Sequence, residues 1–142
     1  MGFVTESKLQ VGQLAGVWHC RYWYPSNTHP GEDVSEYYVR IEHGADGYSL
    51  HSLPNRLEAY LQAHFTTDTN LATGTWLENT SPHGAFEGLL YGGVFQLIIA
   101  DDQKRMSGAW VGVGRGGSQP KVYEGRWEIR YAGAELTDLP PL

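Results

Sequence analysis

Four of the five tryptophans in this chain follow a glycine by two positions: Gly16-Val17-Trp18, Gly74-Thr75-Trp76, Gly108-Ala109-Trp110 and Gly125-Arg126-Trp127. Four recurrences of one short word read as a weak internal repeat. In a β-strand, residues two apart share a face. Each word therefore sets a large flat ring beside a position with no side chain, on one side of a sheet. The empty position admits a neighbour's ring, or a ligand, where the sheet curls tightly. A small closed barrel with its indoles inside satisfies all four words at once.

The remaining pattern has the same period of two. Leu57, Ala59, Leu61, Ala63 and Phe65 alternate with Glu58, Tyr60, Gln62 and His64, which a helix would not allow. Similar alternation predicts strands over 17–24, 34–42, 48–53, 57–65, 71–79, 85–91, 94–100, 105–113 and 121–131, about nine in all. Turn chemistry separates them: His43-Gly44-Ala45-Asp46-Gly47, Asp68-Thr69-Asn70 and Asp101-Asp102-Gln103, with Gly92-Gly93 read as a hairpin or a bulge. Many short strands joined by turns give a sandwich or a barrel. Closure is favoured because it removes the exposed edges of a flat meander. The fold class expected is therefore all-β: a single antiparallel up-and-down barrel of about 8–9 strands over 14–131. Residues 1–13 are read as an N-terminal segment or a plug over one barrel end, and 132–142 as a loose tail.

Composition narrows the function. The net charge of −6 and the lack of any basic run argue against a nucleic-acid surface. No apolar stretch has the length of a membrane helix, and 1–10 does not read as a signal peptide. A single cysteine, Cys20, fits a reducing, cytoplasmic setting. None of the six histidines has metal-ligand spacing, so no metal is expected. Gly112-x-Gly114-x-x-Gly117 matches a dinucleotide fingerprint by letter but has no βαβ frame. It reads instead as a loop, 114–120, at the barrel mouth.

On the expected inner face lie Cys20, Tyr22, Tyr24, Tyr37, Glu78, Gln96 and Tyr123, with Trp18, Trp76, Trp110 and Trp127. The indoles either fill the barrel or line a pocket, with Trp18 the one read as structural. Glu78, beside Asn79, sits at a rim in the first reading, solvated like most carboxylates. Buried, it would have a raised pKa and become the one candidate acid or base. Tyr22, Tyr37, Trp76, Glu78, Trp110 and Trp127 are the expected ligand-binding residues. Arg21, Arg115 and Arg126 are candidates for an anionic group, or else a solvated face.

Leu14-Ala15-Gly16-Val17-Trp18 resembles the first-strand Gly-x-Trp of lipocalins and other calycins, in which the tryptophan closes one barrel end. Tryptophans spread along a meander also resemble streptavidin, whose indoles line the ligand pocket. Gly108-Ala109-Trp110-Val111-Gly112-Val113-Gly114 is similar to a run in nitrobindin-type haem barrels. There the run is early and a haem-ligating histidine lies late; here the run is late and no histidine follows His83, so no cofactor is expected. Trp18-His19-Cys20-Arg21-Tyr22 and Tyr24-Pro25-Ser26 resemble β-rich C-terminal domains of bacterial helix-turn-helix regulators.

These resemblances imply a container and leave three functions open. The first is binding of a small, mostly apolar or aromatic molecule in the interior. The second is a cofactor-independent cyclase or isomerase acting on a polyketide- or lipid-like substrate. The third is a filled barrel serving as a structural or homodimerisation module.

Overall fold

The computed structural model describes residues 13–26, 29–55, 58–80, 90–115, 121–135, 137, 139 and 140. They form eight strands: β1 (Gly16–Pro25), β2 (Glu32–Gly44), β3 (Gly47–Ser52), β4 (Tyr60–Asp68), β5 (Leu71–Asn79), β6 (Leu90–Ile99), β7 (Arg105–Arg115) and β8 (Val122–Gly133). Each pairs antiparallel with the next, and β8 returns to β1 to close an up-and-down barrel. None of the described residues forms a helix long and apolar enough to cross a membrane.

The count is eight rather than nine because Gly92-Gly93 does not turn. Both glycines lie in one continuous ladder, with Gly93 opposite Trp76 on β5 and Gly112 on β7. The expected strand over 85–91 falls largely outside the described residues. At β4 the alternating run is confirmed from Tyr60 onward, while Glu58 takes a left-handed φ of 58° just before it. β7 runs on to Arg115, so Gly114 and Arg115 belong to a strand and not to the expected loop. The rest of that loop, 116–120, and the segment 1–12 lie outside the described residues. Beyond β8, the Tyr38 hydroxyl donates to the Pro140 carbonyl at 2.8 Å.

All four Gly-x-Trp indoles point inward and are buried. Their glycines show how tightly the wall is rolled. A Cβ on Gly74 would overlap the His64 carbonyl oxygen of the neighbouring strand, and one on Gly108 would overlap that of Gln96. One on Gly125 would overlap the Trp23 carbonyl oxygen and crowd the Trp110 ring, and one on Gly112, outside the four words, would strike the Trp76 ring. The missing side chains thus admit backbone at Gly74, Gly108 and Gly125, and an indole at Gly112. Backbone cannot step aside as a flexible side chain can. Gly74→Ala is accordingly expected to cost about 1–3 kcal/mol by overpacking, read as a lowered midpoint in urea denaturation with an unchanged slope.

The two barrel ends differ. One carries the tight turns, of which Thr69 (φ 56°) and Gln103 (φ 57°) are left-handed members. At that end Leu14 and Trp18 are fully buried, and the Trp18 indole N–H donates to the Leu14 carbonyl at 2.8 Å. Tyr131 packs edge-on against Trp18, with centroids 5.5 Å apart. Above this closed end Phe65, Phe95, Leu97, Met106, Trp127 and Ile129 fill the interior. The other end receives the β1–β2, β3–β4, β5–β6 and β7–β8 connections, as an up-and-down order requires. There the inward Tyr22, Tyr24, Tyr91 and Tyr123 are only partly buried against the core. This is the mouth.

Candidate functional site

β5 lies across the barrel from β1, and its inward residues are Ala72, Gly74, Trp76 and Glu78. The alternation that buries Trp76 therefore carries Glu78 inward one step nearer the mouth. The rim expectation is corrected here: Glu78 is only 6% exposed. Its Oε2 accepts a hydrogen bond from the Tyr22 hydroxyl of β1 and another, 2.6 Å long, from the Tyr37 hydroxyl of β2. The carboxyl thus ties β5 to the opposite wall. Oε1 takes part in neither bond.

Rings enclose this group. Tyr22 and Tyr37 stack with centroids 6.1 Å apart and planes 25° from parallel. Trp110 meets Tyr22 edge-on at 6.4 Å and Trp76 edge-on at 5.5 Å. The two indole N–H groups point away, donating to the Val94 and Trp23 carbonyls at 3.2 and 3.1 Å. Both are satisfied within the wall, so the indoles present ring surface, and not donors, to the interior.

Burial governs the electrostatics. Removal from water pushes the Glu78 carboxyl above its ordinary range, and the two tyrosine donors only partly offset this. The same burial, reinforced by the Glu78 charge, raises the Tyr22 and Tyr37 hydroxyls, so both remain protonated donors. Cys20 lies below them, accepting the Trp127 indole N–H at 2.8 Å, and its thiol is pushed up to about 12 by desolvation. A nucleophilic thiolate is not formed under those conditions; Cys20 serves as a small buried filler. Among the described residues no Lys or Arg nitrogen lies within ion-pairing distance of Glu78, and none of their His, Cys, Asp and Glu groups could hold a metal ion.

The structure brings Tyr22, Tyr37, Trp76, Glu78 and Trp110 together at the mouth end. Trp127 sits deeper, packed edge-on against Phe95 at 4.7 Å. Tyr24 and Tyr123 also point inward, as alternation implies. Gln96 does not: it is exposed on the outer wall and donates to Thr73 Oγ1 at 3.1 Å, because Phe95, Leu97 and Ile99 take the inner positions. Arg21 and Arg126 are on the outer wall too, where their guanidinium groups lie 5.3 and 4.3 Å from the Trp23 ring. Of Arg115 only the backbone belongs to the described residues. Sequence reading missed Tyr91, which packs edge-on with Tyr123 at 6.1 Å and stands opposite Glu78. The signal was present: Tyr91, Gly93, Phe95, Leu97 and Ile99 alternate without interruption once Gly92-Gly93 is not read as a break. No known family model matches this chain, and no curated protein is similar to it.

Proposed function

We propose that this barrel binds a small, mostly apolar or aromatic molecule at its mouth end, against Tyr22, Tyr37, Trp76, Trp110 and Glu78, with Trp127 as the floor. One observation carries the reading: a carboxyl buried to 6% exposure among rings, with no basic partner among the described residues. Burying such a group is costly, and a chain needing only a filled core would place a leucine there. Ring-lined concave surface supplies apolar contact area, and a few polar groups set orientation. Because Trp76 and Trp110 flank Glu78, tryptophan fluorescence reports directly on occupancy. A screen of apolar and aromatic small molecules is expected to give saturable quenching or enhancement, weakened at least tenfold in Trp110→Ala. Uniformly linear responses across the screen would defeat the reading.

The enzymatic alternative draws on the raised Glu78 pKa, which suits a general acid or base. A cyclase or isomerase of this kind would need shape and one proton-transfer group. Glu78→Gln retaining affinity for a neutral substrate while losing turnover would select it.

The dimerisation module draws on the outer wall. From 90 to 99, β6 bears no charged side chain, and Val94 and Ile98 are 54% and 57% exposed. Neighbouring Leu77 and Val111 extend this surface onto β5 and β7. Three strands of nine residues span only about 400 Å² of flat area, roughly half of one partner's share of a standard interface. Self-association through that face alone would be weak, which leaves the ligand reading the better supported.

A further inference from the structure

Among the described inward side chains around Tyr22 and Tyr37, Glu78 carries the one formal charge, and it is negative. Every other inward side chain described on β1 and on β4 to β8 is neutral, from Trp18, Cys20, Tyr22 and Tyr24 through Trp76, Trp110, Tyr123 and Trp127. The next acid towards solvent is Asp33, opposite Tyr24 at the rim of β2, where it pairs with His29 at 2.8 Å. The whole chain carries −6, so its field favours a positive visitor over a negative one.

The rings strengthen the same preference. The face of an aromatic ring is electron-rich and attracts a cation, most strongly when water is excluded. Tyr22 and Tyr37 turn their hydroxyl edges to the carboxyl and stack on each other, Trp110 and Trp76 stand beside them, and the indole N–H groups that would repel a cation are turned into the wall. Both tyrosine hydroxyls are spent on Oε2, so Oε1 is outside their two bonds. A neutral apolar guest would gain nothing from this carboxyl, and an anion would be repelled by it. A positively charged group would supply the missing counter-charge.

We infer that the ligand is an organic cation, an ammonium group on an apolar or aromatic body, seated at Glu78 beside Tyr22, Tyr37, Trp76 and Trp110. This rests on the ligand-binding reading above and narrows it to one class. The ammonium group exchanges water for a carboxylate in an aromatic setting, while the body covers the rim tyrosines Tyr24, Tyr91 and Tyr123.

Three probes of nearly identical shape test it: benzyltrimethylammonium, the uncharged neopentylbenzene and the anionic phenylmethanesulfonate, each titrated calorimetrically into the full chain. The expected result is cation affinity at least tenfold above that of the neutral probe, with no saturable binding of the anion. Glu78→Gln should cut the cation's advantage over the neutral probe below about threefold. Tyr22→Phe, which retains the charge, should keep the preference for the cation, so a folding defect in one variant does not decide the outcome. Equal affinity for cation and neutral probe, or an advantage surviving Glu78→Gln in a folded variant, overturns the inference but leaves the apolar-ligand reading standing. Saturable binding of none of the three up to their solubility overturns it as well, and the broader fluorescence screen then judges the parent reading separately.

Discussion

Trp127→Ala is expected to cost about 3–5 kcal/mol of folding stability, the range for removing a large ring from a packed interior. Three features put this residue at the upper end. Its side chain is almost wholly enclosed, at 3% exposure. Its indole N–H is bonded to Cys20 Sγ, so truncation leaves a buried sulfur without that donor. Its ring also braces Phe95 edge-on, and Phe95 in turn braces Phe65 at 6.1 Å. Gly108 stands directly opposite it on β7 and has no side chain that could move into the space. A domain of this size has only about 5–15 kcal/mol to lose, so the melting temperature should fall by more than roughly 10 °C. Trp110→Ala should be milder in stability and more severe in binding, because its ring faces the partly exposed Tyr22 rather than the packed floor. Urea denaturation of both variants checks the contrast. A loss under about 1 kcal/mol for Trp127→Ala would mean that the floor is not packed as described.

Glu78→Gln should act in the opposite direction. The glutamine carbonyl can still accept the Tyr22 and Tyr37 hydroxyls, while the charge that must be desolvated is gone. At neutral pH the variant is expected to be more stable than the parent by about 1–3 kcal/mol. The dependence on pH is the sharper signature. Folding raises this carboxyl's pKa above its ordinary 4.5, so the folded chain holds the proton more tightly than the unfolded one. The protonated form therefore favours folding. Its contribution is complete below pH 4.5 and is lost as pH rises through the higher folded value. The gap between variant and parent should be smallest in acid, widen above pH 4.5 and level off once the folded group has ionised. Denaturation midpoints from pH 4 to 8 measure it, and taking the difference cancels groups common to both chains. A gap that stays constant with pH would show that Glu78 does not ionise with a raised pKa. A gain in stability on removing a charge is what a functional carboxyl, kept at structural expense, would show.

Much of the fold is legible in one dimension because strand periodicity is a local property. The run 57–65, the alternating β8 residues and the four Gly-x-Trp words each carry their face assignment in neighbouring letters, and closure follows from the need to hide edges. The inward placement of Tyr22, Tyr37, Trp76, Trp110 and Trp127 could be read the same way. Two readings failed where local chemistry was ambiguous. Gly92-Gly93 has the letters of a turn, yet it stays in the ladder, where a Cβ on Gly93 would overlap the Val111 carbonyl oxygen of β7. Gln96, expected on the inner face, lies on the outer one, and a shift of one residue along a strand is enough to exchange the faces.

The sequence by itself determined the class of fold, the inner face of most strands and the aromatic character of the interior, all of which depend on residues two apart. Only the tertiary structure decided that Glu78 is buried and that its partners are Tyr22 and Tyr37, 56 and 41 positions away. Burial and pairing of that kind depend on which strands stand opposite one another when the sheet closes, and on the register at which β8 returns to β1. No spacing along the chain encodes that distance, so the solvation, the raised pKa and the chemistry of the carboxyl come from closure.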